Sequence, residues 1–169
     1  MTGQTIAVIG HVDHGKTALV KALTGIETDR LVEEKTRGLS IALGFACLGS
    51  ENHLCHLIDT PGHADFIQTT ARGLSGADAV LLVVSAQDGI AVQTREYLRL
   101  AALFGIRQAV IAITKSDLVS DERAEGQRAA IEVLLNEMGI RPAEFISCSS
   151  VTGAGMPALK KALSQLDLE

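Results

Sequence analysis

Tryptophan is absent from the chain, and aromatics amount to 3% of its 169 residues, one tyrosine and four phenylalanines. That leaves few of the stacking platforms on which single-strand nucleic-acid binders rely. Cysteine is scarce as well. Cys47, Cys55 and Cys148 are odd in number, widely spaced and contain no Cys-x-x-Cys pair, which excludes a zinc site or a disulfide framework. All three read as buried small hydrophobes in a reduced, cytoplasmic setting. Positive charge is also in deficit, and a net charge of −5 argues against this chain gripping a phosphate backbone by itself. The longest apolar runs, such as Ala79 to Val84, are far too short to span a bilayer, so no membrane partner is expected. No basic region followed by an apolar stretch opens the chain, so no secretory signal is expected. Internal repeats, low-complexity tracts and Pro-rich linkers are missing too.

What remains is a chain that is 47% apolar and long enough to bury the full core of one domain. Strand-like and helix-like segments alternate along it. Thr5 to Ile9 reads as a short buried strand, and Lys16 to Leu23 as a helix starting at a glycine-rich turn. Gly25 to Arg37 is polar, has no clear period and reads as a mobile loop. Ile41 to Leu48 and Leu54 to Ile58 are strand-like, and the tight link Gly49-Ser50-Glu51-Asn52 makes them a hairpin with one antiparallel edge. Ala79 to Val84 and Ala109 to Ile113 are continuous apolar runs, as central parallel strands covered on both faces require. Gln93 to Phe104 suits a crossover helix, and Ser120 to Met138 a second one, with Ile131, Leu134, Leu135 and Met138 on one face. Phe145 to Ser147 gives a last strand and Met156 to Leu166 a last helix. The expected fold class is α/β, a doubly wound sheet.

Three motifs carry the chemistry. Gly10-x-x-x-x-Gly15-Lys16-Thr17 lies between a strand and a helix, the context a phosphate-binding loop needs. Its glycines let backbone amides converge on a phosphate, and the helix N-terminus adds positive partial charge. Lys16 would neutralise the β- and γ-phosphates, and Thr17 would offer its hydroxyl to Mg²⁺. Asp59-Thr60-Pro61-Gly62 follows the strand ending at Ile58, so Asp59 faces the ligand crevice of the sheet. Asp59 would hold Mg²⁺ through water, and the Gly62 amide would meet the γ-phosphate. Thr114-Lys115-Ser116-Asp117 follows the strand ending at Ile113. The Asp117 carboxylate can accept hydrogen bonds from guanine N1–H and the 2-amino group, which adenine cannot offer, while the Lys115 stem could lie over the base.

These residues resemble the P-loop GTPases, and within them the translational GTPases. The hallmark is Gly10-His11-Val12-Asp13-His14-Gly15-Lys16-Thr17 together with Asp59-Thr60-Pro61-Gly62-His63. The stretch Leu23 to Leu31, then Glu33-Glu34-Lys35 and Arg37-Gly38, is similar to the selenocysteine-specific elongation factors. The resemblance covers nearly the whole chain. It implies a three-layer P-loop GTPase fold with a mostly parallel six-stranded sheet and one antiparallel edge strand. It makes residues 1–169 a GTP-binding domain whose following tRNA- and mRNA-binding domains are absent from this chain.

Residue by residue, the resemblance makes Lys16 and His63 catalytic, with His63 orienting the attacking water once the ribosome is engaged. Nucleotide contacts fall to Asp13, His14, Gly15, Lys16, Thr17, Ala18, Gly62, Thr114, Lys115 and Asp117. The turn Ser149-Ser150-Val151 would meet guanine O6 through its backbone. Thr17, Ser40 and Asp59 (through water) would serve Mg²⁺, with Ser40 standing where the family carries a threonine. Val12 and Leu39 match an apolar gate over the water, and Asp13 a residue linked to a monovalent cation. GTP and GDP are the implied substrate and product. The implied partners are the ribosome and, through the further domains, selenocysteinyl-tRNA and an mRNA element.

Three departures stand out: Thr114 where GTPases commonly carry Asn, Ala42 where the branch usually has Asp, and Ala64-Asp65-Phe66-Ile67 in place of Glu-Lys-Phe-Val. The alternatives are a domain like elongation factor Tu, one like the gamma subunit of initiation factor two, and a nucleotide-gated binding module with little hydrolysis. The charged run Glu33 to Arg37 reads as a solvated loop by composition and as a nucleotide-sensing switch by position. The histidines outside the motifs, His53 and His56, read as surface residues.

Overall fold

The two continuous apolar runs become the centre of a six-stranded sheet, because only strands covered on both faces can bury every side chain. The computed structural model describes residues 2–50 and 53–168. Its strands are β1 (Thr2–Ile9), β2 (Gly44–Ser50), β3 (His53–Asp59), β4 (Ala79–Ser85), β5 (Gln108–Thr114) and β6 (Arg141–Ser147). Their order across the sheet is β2-β3-β1-β4-β5-β6. Every pairing is parallel except β2 with β3, so the antiparallel strand is at the edge. Ser50 pairs with His53 across the hairpin, while Glu51 and Asn52 of the expected link lie outside the described residues.

Helices cover both faces. Leu19, Val20 and Leu23 of α1 (Lys16–Thr24) and Met156, Leu159 and Leu163 of α6 (Met156–Ser164) pack on one face of the sheet. On the other face lie Leu74 of α3 (Ile67–Leu74), Tyr97 and Leu98 of α4 (Val92–Leu103), and Ile131, Leu134 and Leu135 of α5 (Asp121–Glu137). Alternation decides which strand residues go where: Ile6 and Val8 face the first layer, Ala7 and Ile9 the second. The strand order reverses at β1, so the loop after β1 opens into the crevice where α/β sheets bind ligands.

The structure corrects the sequence reading at five places. The segment expected as a loop from Gly25 to Arg37 contains α2 (Val32–Arg37), too short to show a period and capped by Gly38 at a left-handed φ of 66°. α3 was not foreseen, and β6 starts at Arg141 rather than Phe145. β2 begins at Gly44 instead of Ile41, because the amides of Ile41 and Ala42 are bound by the Glu34 carboxylate and not by a neighbouring strand. Cys47 is exposed rather than buried: it shares the outward face of the edge strand with Phe45 and pairs with the exposed His56. Cys55 and Cys148 are buried as expected.

Leu81, fully buried in the central strand, reports on this core. Leu81→Ala is expected to cost about 2–5 kcal/mol, read as a lower urea midpoint with an unchanged slope.

Candidate nucleotide-binding site

Glycine is needed where β1 turns into α1, because backbone meets backbone there. Gly10 adopts φ 154°, and a Cβ on it would overlap the Val83 carbonyl of β4. Gly15 takes φ 90° at the N-cap of α1, and Asp13 takes the left-handed φ of 65° although it is not glycine. Such strain in a non-glycine residue persists only where surrounding structure over-determines it. The loop bends around a cavity of about 360 Å³ that Val12, Asp13, Gly15, Lys16, Thr17 and Ala18 line from one side. Gly38, Leu39, Ser40, Gly62, Lys115 and Asp29 close the others.

Lys16 is nearly buried at 6% exposure, and its Nζ donates to the His11 carbonyl at 3.2 Å. Burial drives its pKa down from 10.5 to about 8, against the opposing pull of Asp59, Asp13 and Asp29. Gly62, at the end of the Asp59 motif, lies directly on this loop. A Cβ there would overlap Lys16 Nζ and stand 2.7 Å from the Val12 amide nitrogen.

Asp59 ends β3 with only 1% exposure. Its Oδ2 accepts from the hydroxyls of Thr17 at 2.7 Å and Thr28 at 2.6 Å, while Oδ1 is buried with no partner. Burial pushes its carboxyl above the usual range, against those two hydrogen bonds and Lys16. Ser40 reaches the same place: its Oγ is 3.0 Å from Thr17 Oγ1 and donates to Asp29 Oδ1 at 2.7 Å. Gly44 lets Thr28 approach, since a Cβ on it would come within 2.5 Å of Thr28 Cβ.

No group of three or more His, Cys, Asp or Glu side chains suited to a metal occurs among the described residues. The cluster of Thr17, Ser40 and Asp59 offers oxygen alone. Two adjacent ligands of an octahedral Mg²⁺ at 2.0–2.1 Å stand about 3 Å apart, which is the spacing of the two hydroxyls. The orphaned Asp59 Oδ1 is an acceptor suited to a water on such an ion, so the residues present fit a hard divalent cation.

The two motifs expected to meet guanine sit at the ends of β5 and β6. Lys115 takes the left-handed φ of 56°, lines the cavity, and holds its Nζ 3.8 Å from Asp88. Asp117 is exposed at the start of a short 3-10 turn. The Ser116 amide donates to the Cys148 carbonyl at 3.2 Å, which ties this loop to Ser149-Ser150-Val151. Ser149 is buried in a turn whose Gly153 amide returns to its carbonyl, while Ser150 and Val151 are exposed. Thr114 is buried, and its hydroxyl donates to the His14 carbonyl at 2.7 Å.

Of the sequence-derived residues, Asp59, Thr114, Asp117 and the turn Ser149-Ser150-Val151 do not line the cavity, and neither do the two histidines. His63 caps a 3-10 turn, and its Nδ1 accepts the Asp65 amide at 3.2 Å. His14 is buried behind the loop, its ring edge-on to His11 at 5.1 Å and its Nε2 3.9 Å from Asp88. Sequence reasoning missed Thr28, Asp29, Glu34 and Asp88. Thr28, Asp29 and Glu34 lay inside a stretch read as a mobile loop and for its family likeness, without a role for any of the three, and Asp88 follows a strand without any motif.

His14 makes acid a stress on the site. Desolvation, then repulsion from His11, lowers its pKa from 6.5 to about 4 in spite of Asp88. Between those two values the unfolded chain binds a proton that the native one refuses, so stability is complete above pH 6.5 and falls as pH drops towards 4. The loss is on the order of 3 kcal/mol. His14→Gln is expected to flatten that part of the pH dependence of the urea midpoint; an unchanged slope would contradict the buried neutral imidazole.

With this geometry in place, comparison with known proteins gives a consistent answer. The chain is 43% identical over 158 residues to the "Selenocysteine-specific elongation factor" of Desulfomicrobium baculatum, covering 93% of this chain and 25% of that protein. The chain thus spans about a quarter of the length of that relative. A crystal structure of bacterial selenocysteine-specific elongation factor EF-Sec superposes with a TM-score of 0.93 at 42% identity, covering 98% of this chain and 29% of the other. Translation elongation factor SelB from Methanococcus maripaludis, in complex with the GTP analogue GppNHp, follows with 0.80 at 29% identity, over 98% of this chain and 35% of that one. The family model described as "Elongation factor Tu GTP binding domain" matches residues 2–167, and the chain belongs to that family.

Proposed function

We propose that this chain is the GTP-hydrolysing switch of a translation elongation factor that delivers selenocysteinyl-tRNA to the ribosome. The observation that carries the switch is the meeting of Ser40, Thr17 and Asp59 from three separate segments within 3.0 Å contacts beside Lys16. The 43% identity to a selenocysteine-specific factor favours that branch over the others. Ribosome, aminoacyl-tRNA and an mRNA element would be met through domains beyond these residues. No helix of the described residues is long and apolar enough to cross a membrane, which accords with a cytoplasmic factor.

In this reading GTP lies along the cavity. The amides from Asp13 to Ala18 cradle the β-phosphate, and the Lys16 ammonium bridges the β- and γ-phosphates. Phosphate charge restores the ammonium form that burial disfavours. Thr17 and Ser40 would hold Mg²⁺ by their hydroxyls, and Asp59 would hold it through water. Such an ion would supply neutralisation of the phosphate charge. The Gly62 amide meets the γ-phosphate, and Asp13 places its carboxylate where a monovalent cation would sit.

Asp117 selects guanine by accepting N1–H and the 2-amino group, Lys115 covers the base, and the turn from Ser149 to Val151 meets O6. Thr114 and His14 support these contacts from behind. No arginine among the described residues lines the cavity, and slow intrinsic hydrolysis is expected on that ground. His63 orients the attacking water on the ribosome, with Val12 and Leu39 shielding it. With Nδ1 engaged by the Asp65 amide, Nε2 is the ring nitrogen left for water.

His63→Ala in the full factor is expected to lower ribosome-stimulated phosphate release by about 100-fold or more while GDP affinity stays unchanged. Undiminished release would remove His63 from the mechanism. Absence of stimulated release from the unmodified factor would favour the nucleotide-gated binding module instead. Gly62→Ala must displace either Lys16 or its own peptide, and is expected to weaken GppNHp by about tenfold while GDP changes less, read by calorimetry.

A further inference from the structure

Glu34 is 2% exposed on a six-residue helix whose other side chains all face solvent. Its carboxylate turns back beneath α2. Oε2 accepts the Leu31 amide at 2.9 Å, and Oε1 accepts those of Ile41 and Ala42 at 3.0 Å each. The Glu34 carbonyl takes two more, Gly38 at 2.8 Å and Leu39 at 3.3 Å. One residue therefore binds the amides at 38, 39, 41 and 42, and closes residues 31–42 into a ring. The amide it leaves out is that of Ser40, which has no acceptor among the described residues. Ser40 lines the cavity, with its hydroxyl 3.0 Å from Thr17.

A loop held on both sides of one free amide presents that amide at a fixed place. We infer that Glu34 is a positioning residue that presents the Ser40 amide to the terminal phosphate and keeps the Ser40 hydroxyl beside Thr17, and so sets the preference for a nucleoside triphosphate over a diphosphate. The inference rests on the GTP-switch reading. It adds that discrimination depends on a carboxylate that touches neither nucleotide nor cation. GDP has no group at the place Ser40 guards, so losing the clasp should leave GDP binding nearly intact. Burial tightens the dependence, since three amides lose their acceptor at once when the side chain is removed.

The test compares Glu34→Ala and Glu34→Gln with the unmodified chain, using GppNHp and GDP as titrants and amide hydrogen exchange on the nucleotide-free protein. Gln keeps an oxygen for Ile41 and Ala42 and loses the acceptor for Leu31. Glu34→Ala is expected to weaken GppNHp by about tenfold with GDP within about twofold, and Glu34→Gln to fall between. Exchange at 38–42 should quicken in the same order. Equal weakening of both nucleotides, or an unchanged GppNHp affinity, would overturn the inference. If the unmodified chain binds neither nucleotide, the GTP-switch reading fails, and the role of Glu34 in discrimination falls with it. Exchange then still decides whether the clasp itself exists. Should Glu34→Ala not fold, Glu34→Gln alone carries the comparison, with partial and selective loss of GppNHp as the supporting result.

Discussion

Asp59 and Lys16 are two opposite charges taken almost wholly out of water, and neither is fully compensated by the protein. Desolvation of a charge in a protein interior costs several kcal/mol unless partners replace the water. Lys16 has one carbonyl acceptor, and Asp59 has two threonine hydroxyls on one oxygen and nothing on the other. The pKa directions show the imbalance: the lysine is driven towards neutrality and the aspartate is harder to ionise. A site left short of an anion for the lysine and of a donor or cation for the carboxylate gains most when both arrive together. A nucleotide phosphate with a divalent ion is such a pair. The fold bears the cost of this arrangement in a core whose central strand, β4, is buried at every position.

The arrangement depends on glycines that let segments approach more closely than side chains allow. Gly10 brings the phosphate loop against β4, Gly44 brings β2 against Thr28, and Gly62 brings the end of β3 against Lys16. Each lies at or just beyond the end of a strand, so the parallel sheet delivers them to one edge. In the register, Val8, Asp59 and Gly44 stand side by side across β1, β3 and β2. The hairpin at the edge of the sheet is what places Thr28 and Ser40 over Asp59, since β2 runs back from that position. Chemistry at the cavity therefore inherits its precision from strand pairing far more than from the loops themselves.

The sheet, its antiparallel edge and its helical layers were legible because burial on both faces leaves unbroken apolar runs, as in β4 and β5. The phosphate loop was legible because it needs fixed residue types at fixed spacing. The segment from Thr28 to Ala42 was not. Its structure comes from one buried carboxylate and a six-residue helix, neither of which leaves a period. Ala42 illustrates the point: the structure uses its amide and leaves its side chain exposed, so residue identity there says little about the contact. Cys47 failed in another way. Its chemistry suggested burial, but β2 is an edge strand with one uncovered face, and topology overrode the preference of the side chain.

Thr114, the departure in the motif that follows β5, couples that loop to the loop that follows β1. Two links join them. One is the Thr114 hydroxyl on the His14 carbonyl, buried and 2.7 Å long. The other runs from Lys115 through Asp88 to His14, with separations of 3.8 and 3.9 Å and a half-exposed carboxylate. With His14 neutral, the ion pair in this chain is that of Lys115 with Asp88, and an exposed pair of that length is worth about 0–1 kcal/mol and weakens with salt. A buried hydroxyl bond adds about 1 kcal/mol, and losing it strands a carbonyl without water. The buried link therefore dominates. A threonine suffices there because the task at that position is a single donor to a single carbonyl, with the remaining hydroxyl contact to Val84 at 3.4 Å too long to compete.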